Sequence, residues 1–227
     1  MLVALLCCRK FVLQLASEAH DDAHSTLGFL QELHERTTDE LIHTAARNLE
    51  VCLQVYFRRE GVCLGEELSK DTKVLFSYLA REPDIHPFCL KGVYTQVVSL
   101  YLKHLLLSNQ SQLERRWGQV GTVIRADAEV IHKLFTQQSE GVVNRSVLLL
   151  KVATVLSVTD EETFNSTCRE LQQDTHISKE QVNQLILWKD RLSRQQVKNL
   201  LDTAPQSLWK RLPSLWTRTS QSAASIV

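Results

Sequence analysis

Glycine and proline are scarce in this chain, and so are the loops that depend on them. There are seven glycines and four prolines in 227 residues. Tight strand turns and phosphate-binding loops both use glycine, because it adopts positive φ angles without strain. Neither Gly-x-Gly-x-x-Gly nor Gly-Lys-Ser/Thr occurs. The composition therefore argues against a turn-rich β fold and against the common nucleotide-binding loops.

The chain also has no net charge. Its 26 basic and 26 acidic residues cancel, so no overall field attracts nucleic acid, and we predict no nucleic-acid partner. His20 and His24 have the spacing of zinc ligands on a helix, but Asp21 stands where a metalloprotease has glutamate and no third ligand stands out. We predict solvated surface there, and a non-enzymatic protein without cofactor, metal or small-molecule substrate.

None of the six cysteines belongs to a Cys-x-x-Cys pair. Most lie in apolar helical patterns, which predicts small buried side chains in a reducing compartment. Cys7 and Cys8 stand beside Arg9 and Lys10, the setting of an S-palmitoylation site, although burial is the favoured interpretation. A remote alternative is a cysteine hydrolase that pairs Cys63 or Cys89 with a histidine; no local signature supports it. The full set is Cys7, Cys8, Cys52, Cys63, Cys89 and Cys168.

The stretch VLLLKVATVLSVTDEETF, residues 147–164, predicts two consecutive helices. The polar side chains of its first twelve residues are Lys151, Thr154 and Ser157. Residues three apart lie on opposite faces of a strand but on one narrow edge of a helix. Twelve residues also fall short of the roughly 20 that span a bilayer. Thr159-x-x-Glu162 is a capping box, which predicts that the next helix begins there.

Helical patterns continue through most of the chain. Capping boxes recur at Thr37-x-x-Glu40, Ser178-x-x-Gln181 and Ser193-x-x-Gln196. Apolar residues repeat three and four apart, as in the stripe from Ile42 to Tyr56, and no strand alternation is convincing. Breaks fall near residues 61–65, 82–87, 108–111, 139–141 and 174–178. We predict an all-α fold without a sheet, in which neighbouring helices pack antiparallel.

The first fifteen residues are apolar on most sides of a helix. Arg9 and Lys10 follow the apolar run, whereas a signal peptide has its positive charge first, so a retained helix is favoured over a cleaved signal. We predict that this segment forms a seam with a neighbouring helix, from the same chain or from a partner. The seam residues are Leu2, Leu5, Leu6, Phe11, Val12 and Leu15.

The C-terminal part is basic. Residues 188–218 contain seven Lys or Arg and two Asp, a net charge of +5. This segment has two interpretations. It contacts an acidic membrane peripherally, or it is a solvated helix face, and the solvated face is the favoured one. The membrane contacts would be Lys189, Arg191, Arg194, Lys198, Lys210, Arg211, Trp209 and Trp216. Residues 205–227 are expected to be a disordered, Ser-rich tail, and its end, Ser225-Ile226-Val227, fits a PDZ ligand.

Three segments carry a resemblance to a known family. They are VYTQVVSLYLKHLL (93–106), RADAEVIHKLF (125–135), and VLLLKVATVLSVTDEETFNSTCREL (147–171) followed by HISKEQVNQLILWKDRLSRQQVKNLLD (176–202). In their order and spacing these segments resemble the C-terminal region of the Sec6 family. This family comprises exocyst complex component 3, the exocyst complex component 3-like proteins and tumour necrosis factor alpha-induced protein 2. The likeness covers about residues 25–202, and we predict that residues 1–204 form one Sec6-like helical-bundle region. Family members are longer, so the chain is expected to be a fragment or short form without their N-terminal coiled coil.

This resemblance implies an elongated rod of stacked antiparallel helical bundles that works by binding. It implies a tethering or adaptor scaffold in exocytosis, whose partners are exocyst subunits, SNAREs and small GTPases. The expected location is cytoplasmic, peripherally at the plasma membrane or at secretory vesicles. The alternative is a phosphoinositide-binding module at the membrane surface that promotes protrusions.

Overall fold

A computed structural model describes residues 2–18, 24–80, 86–137 and 143–190. Over these residues the chain forms nine helices and no strand, so the all-α prediction is confirmed for this part. The helices are α1 (Leu2–Glu18), α2 (His24–Arg58), α3 (Leu64–Leu79), α4 (His86–Leu107), α5 (Gln110–Trp117), α6 (Val120–Thr136), α7 (Val147–Ser157), α8 (Glu161–Gln173) and α9 (Lys179–Asp190).

The chain forms two compact units. The first comprises Met1–Leu105 and Glu129–Arg145, and the second comprises Leu106–Ala128 and Ser146–Val227. In the first unit α1 packs against α2, and α2 packs against α3. The predicted stripe of α2 is buried throughout, with Leu53 fully covered. Phe135 completes this core, because its ring lies 5.4 Å from the rings of both Phe76 and Tyr94.

The second unit is built around α7. This helix packs against α8 and α9, which also contact each other. Leu149 and Val152 are fully buried, whereas Ser157 on the predicted polar edge is exposed. A Cβ atom at Gly121 of α6 would lie only 2.5 Å from the carbonyl oxygen of Ala153 in α7. Glycine therefore lets α6 approach the backbone of α7 more closely than any other residue would.

Three of the four predicted capping boxes lie in described residues, and each has a different outcome. The Ser178 box is confirmed: Ser178 Oγ accepts from the Gln181 amide at 3.2 Å, and Gln181 Oε1 accepts from the Ser178 amide at 2.9 Å. The Thr159 box is displaced by one residue, because the Asp160 carboxylate caps α8 instead and accepts from the Thr163 amide at 2.8 Å. A carboxylate also interacts favourably with the positive end of the helix dipole.

The Thr37 box is wrong, and Ser193 lies outside the described residues. Thr37 is in the middle of α2, where its hydroxyl donates to the Leu33 carbonyl at 2.6 Å. A threonine that bonds one turn back fits a helix interior, so the motif alone does not start a helix. The predicted breaks at residues 61–65, 108–111 and 174–178 do separate helices. The short helix α5, which is followed by the C-cap residue Gly118 with φ of 65°, is missing from the prediction.

Candidate interaction surface

Helix α1 packs against α2 and presents another face to solvent. Val12 is buried, with 6% of its surface exposed, whereas Phe11 is 63% exposed and Leu15 is 41% exposed. An isolated exposed leucine is ordinary, but an exposed phenylalanine and leucine one turn apart on the same side form a continuous apolar surface.

Five exposed residues of α1 lie on one side of the helix. At 3.6 residues per turn, positions 4, 7, 8, 11 and 15 fall within an arc of about 100° that runs about 16 Å along the axis. These residues, here called the α1 stripe, are Ala4, Cys7, Cys8, Phe11 and Leu15, and all five are exposed. The spacing is that of a core-facing helix, yet the stripe faces away from the chain's own core.

The charged residues of α1 that precede Glu18 have one sign. Lys10 is exposed beside the stripe, and Arg9 precedes it in the sequence. The first acidic residue of the chain is Glu18. The helix therefore combines an exposed apolar surface with basic neighbours and no carboxylate over its first sixteen residues, Leu2 to Ser17.

The predicted seam is divided between two faces. Val12 is buried within the first unit, whereas Phe11 and Leu15 are available to another molecule. A helix that is apolar on most sides cannot place all of these side chains on one surface, since consecutive residues point about 100° apart. Leu2, Leu5 and Leu6 belong to α1, but their side chains lie outside the described residues.

The cysteines divide into two groups. Cys52, Cys89 and Cys168 are buried, as predicted, but Cys7, Cys8 and Cys63 are exposed. The prediction of burial is therefore wrong for these three. The apolar pattern shows that a helix has an apolar face, but it does not show which face the rest of the chain covers.

The buried cysteines are poor candidates for a nucleophile. Cys89 is fully covered within α4. The thiol of Cys52 donates a hydrogen bond to the Asp71 carboxylate at 3.2 Å. Burial, together with this bond, raises the pKa of Cys52 to about 12. An attacking thiol needs a pKa near or below neutrality, which is the opposite shift.

A charged cluster joins α2 to α4 in the first unit. Glu50 Oε1 accepts from Lys103 Nζ at 2.9 Å and lies 3.0 Å from His104 Nε2. The hydrogen bond from Lys103, supported by that from His104, lowers the pKa of Glu50. The His104 ring also stacks on Phe57, with centroids 6.3 Å apart. These contacts hold α2 and α4 together. Within the described residues no group of three or more His, Cys, Asp or Glu side chains could hold a metal ion.

The basic C-terminal segment is described only as far as Asp190. Trp188, the first residue of this segment, is only 5% exposed, and its indole Nε1 donates to the Glu114 carboxylate at 2.8 Å. It is therefore a core residue. Lys189 donates to the Leu156 carbonyl at 3.4 Å. The other predicted contacts lie outside the described residues, as does the PDZ-ligand sequence: Arg191, Arg194, Lys198, Trp209, Lys210, Arg211, Trp216, Ser225, Ile226 and Val227.

A cleft of about 500 Å³ lies in the second unit, lined by the end of α5, the start of α6 and parts of α7 and α9. Its charged lining groups are Glu114 and Lys189. Each of these already has a partner within the chain, Trp188 for the carboxylate and the Leu156 carbonyl for the ammonium. We assign no ligand to this cleft, and the α1 stripe is the candidate interaction surface.

Comparison with protein-family models, with curated proteins and with solved structures finds no match to the chain. The Sec6 resemblance therefore rests on the sequence segments alone. In the part of the chain that the structure describes, no helix has the length and hydropathy needed to cross a membrane.

Proposed function

We propose that this chain is a non-enzymatic tethering or adaptor scaffold in exocytosis. It binds exocyst subunits, SNAREs or small GTPases, and it lies peripherally at the cytoplasmic side of the plasma membrane or of secretory vesicles. The observation that carries the proposal is the α1 stripe, because a contiguous apolar surface on the outside of a protein normally marks an interface. The assignment to exocytosis is supported by the resemblance to the Sec6 family.

A tether holds a membrane and a protein at the same time, and the α1 stripe is suited to the membrane. Interfacial helices combine an apolar face that carries phenylalanine and leucine with flanking Lys and Arg. Acidic lipids attract such basic residues by about 1 kcal/mol each near the surface. Phe11 supplies the largest exposed apolar side chain of the stripe, and Lys10 lies beside it. Protein partners would be bound by other surfaces of the helices, as the family resemblance implies.

Vesicle co-sedimentation of the unmodified chain tests the membrane contact. We expect binding to vesicles that contain phosphatidylserine, weaker binding to neutral vesicles, and a loss with added salt, because salt screens exposed charges over about 8 Å. Phe11→Glu should weaken binding by about tenfold or more, since Phe burial contributes about 1.5–3 kcal/mol. Phe88→Glu is the matched control, because Phe88 is 62% exposed, much like Phe11, but belongs to α4 and not to the α1 stripe.

Proximity labelling in cells tests the assignment to exocytosis. The expected neighbours are exocyst subunits, SNAREs, small GTPases or membrane-remodelling proteins, and deletion of residues 1–16 should reduce their recovery. If none of these proteins is labelled, the exocytic assignment fails. If the chain binds no vesicle but captures a partner through Phe11, the stripe is a protein-binding surface and the membrane contact is refuted.

A further inference from the structure

We propose that Cys7 and Cys8 are sites of S-acylation, and that the attached fatty chain anchors α1 to the membrane. This inference rests on the membrane contact proposed above and adds a covalent modification to the same surface. The two thiols are adjacent in sequence, both are exposed, and both belong to the α1 stripe.

The geometry of α1 directs an acyl chain onto apolar surface. Cys7 and Cys8 precede Phe11 by four and three residues, so both sulfur atoms lie about one helical turn from the phenyl ring on the same side. Leu15 continues that side for one more turn. A chain on either sulfur therefore enters the lipid phase together with Phe11 and Leu15.

The third exposed cysteine lacks this setting. Cys63 lies in the connection between α2 and α3, where Arg58 and Arg59 are outnumbered by Glu60, Glu66 and Glu67. Carboxylates are repelled by an acidic membrane surface, whereas α1 has basic residues beside its thiols. Cys63 therefore serves as an exposed cysteine that should remain unmodified.

Two anchoring signals are available on α1. A single fatty chain gives only marginal binding, on the order of 10⁴ M⁻¹ for 14 carbons, and stable attachment needs a second signal. Acylation of both cysteines supplies two chains. Acylation of one cysteine supplies one chain beside the basic pair Arg9 and Lys10. Either combination turns the weak contact of the unmodified helix into a stable one.

The modification needs a fatty acyl thioester of coenzyme A as the acyl donor. The cysteine sulfur, after loss of its proton, attacks the carbonyl carbon of the donor. The new carbon–sulfur bond forms as the bond to the coenzyme A sulfur breaks, and the released thiolate takes up a proton. No oxidation or reduction occurs, and hydroxylamine reverses the modification by cleaving the thioester.

Acyl exchange on the full chain expressed in animal cells tests the inference. Free thiols are blocked, thioesters are cleaved with hydroxylamine, and each released thiol receives a polyethylene glycol tag that is counted by gel mobility. We expect one or two tags on the unaltered chain. The double variant Cys7→Ser, Cys8→Ser should carry no tag. The amount of this variant recovered in the membrane fraction should fall by about tenfold or more. Cys63→Ser should keep every tag.

The outcomes separate this inference from the proposed function. Absence of a hydroxylamine-dependent tag overturns the acylation, and so does a tag that persists in the double variant or disappears in Cys63→Ser. If the unmodified chain still binds acidic vesicles in a Phe11-dependent way, the membrane contact survives that result. Capture of a helical partner on an untagged chain would overturn the inference in favour of a protein occupant.

Discussion

Replacing Gly121 with alanine should destabilise the second unit. Glycine to alanine in a helix usually stabilises by about 0.5–1 kcal/mol. Here the added Cβ would lie 2.5 Å from the Ala153 carbonyl oxygen and 2.7 Å from Ser157 Cβ. Carbon contacts normally lie at about 3.5–4.0 Å, so α7 would have to move by about 1 Å. Overpacking costs about 1–3 kcal/mol, and after the gain in helix propensity the net loss is at most about 2.5 kcal/mol, with about 1 kcal/mol expected.

Gly28→Ala provides the matched control, because Gly28 also lies within a helix and a Cβ there meets no atom within 4 Å. We expect the control to be more stable by up to about 1 kcal/mol. Thermal unfolding measures both, at about 2–4 °C per kcal/mol for a chain of this size. Hydrogen exchange of the α6 and α7 amides localises the loss. If Gly121→Ala and Gly28→Ala shift the stability in the same direction, the close approach of α6 to α7 is refuted.

Two further predictions concern titratable groups. In the unmodified chain at pH 8, a thiol reagent should label the three exposed cysteines rapidly, whereas Cys52 stays slow because its pKa is raised to about 12 and it is buried; rapid labelling of Cys52 would contradict its bond to Asp71. The lowered pKa of Glu50 means that its stabilisation is present above the unfolded value of about 4.5 and is lost as pH falls through the folded value. Glu50→Gln should therefore lose less unfolding free energy between about pH 5 and pH 3 than the unaltered chain does, and equal losses would refute this.

The helices themselves could be predicted from the sequence. The stripe of α2 and the polar edge of α7 repeat every three or four residues, and this spacing distinguishes a helix from a strand without any knowledge of neighbours. The Ser178 capping box is equally local, because both partners lie within one turn. The predicted seam in α1 also depends on local apolar residues. These residues indicate an apolar helix, but they do not show which of its faces is buried.

Tertiary structure decided which faces are covered. Phe11 and Val12 are adjacent and similarly apolar, yet one is 63% exposed and the other 6%. Trp188 begins the basic segment, yet its indole donates a hydrogen bond to Glu114, which is 74 residues away in the sequence. Gly121 looks like any helical glycine until Ala153 is placed against it. Periodicity is a property of a segment, whereas burial is a property of the segment and of whatever packs on it, and the latter is encoded in distant residues.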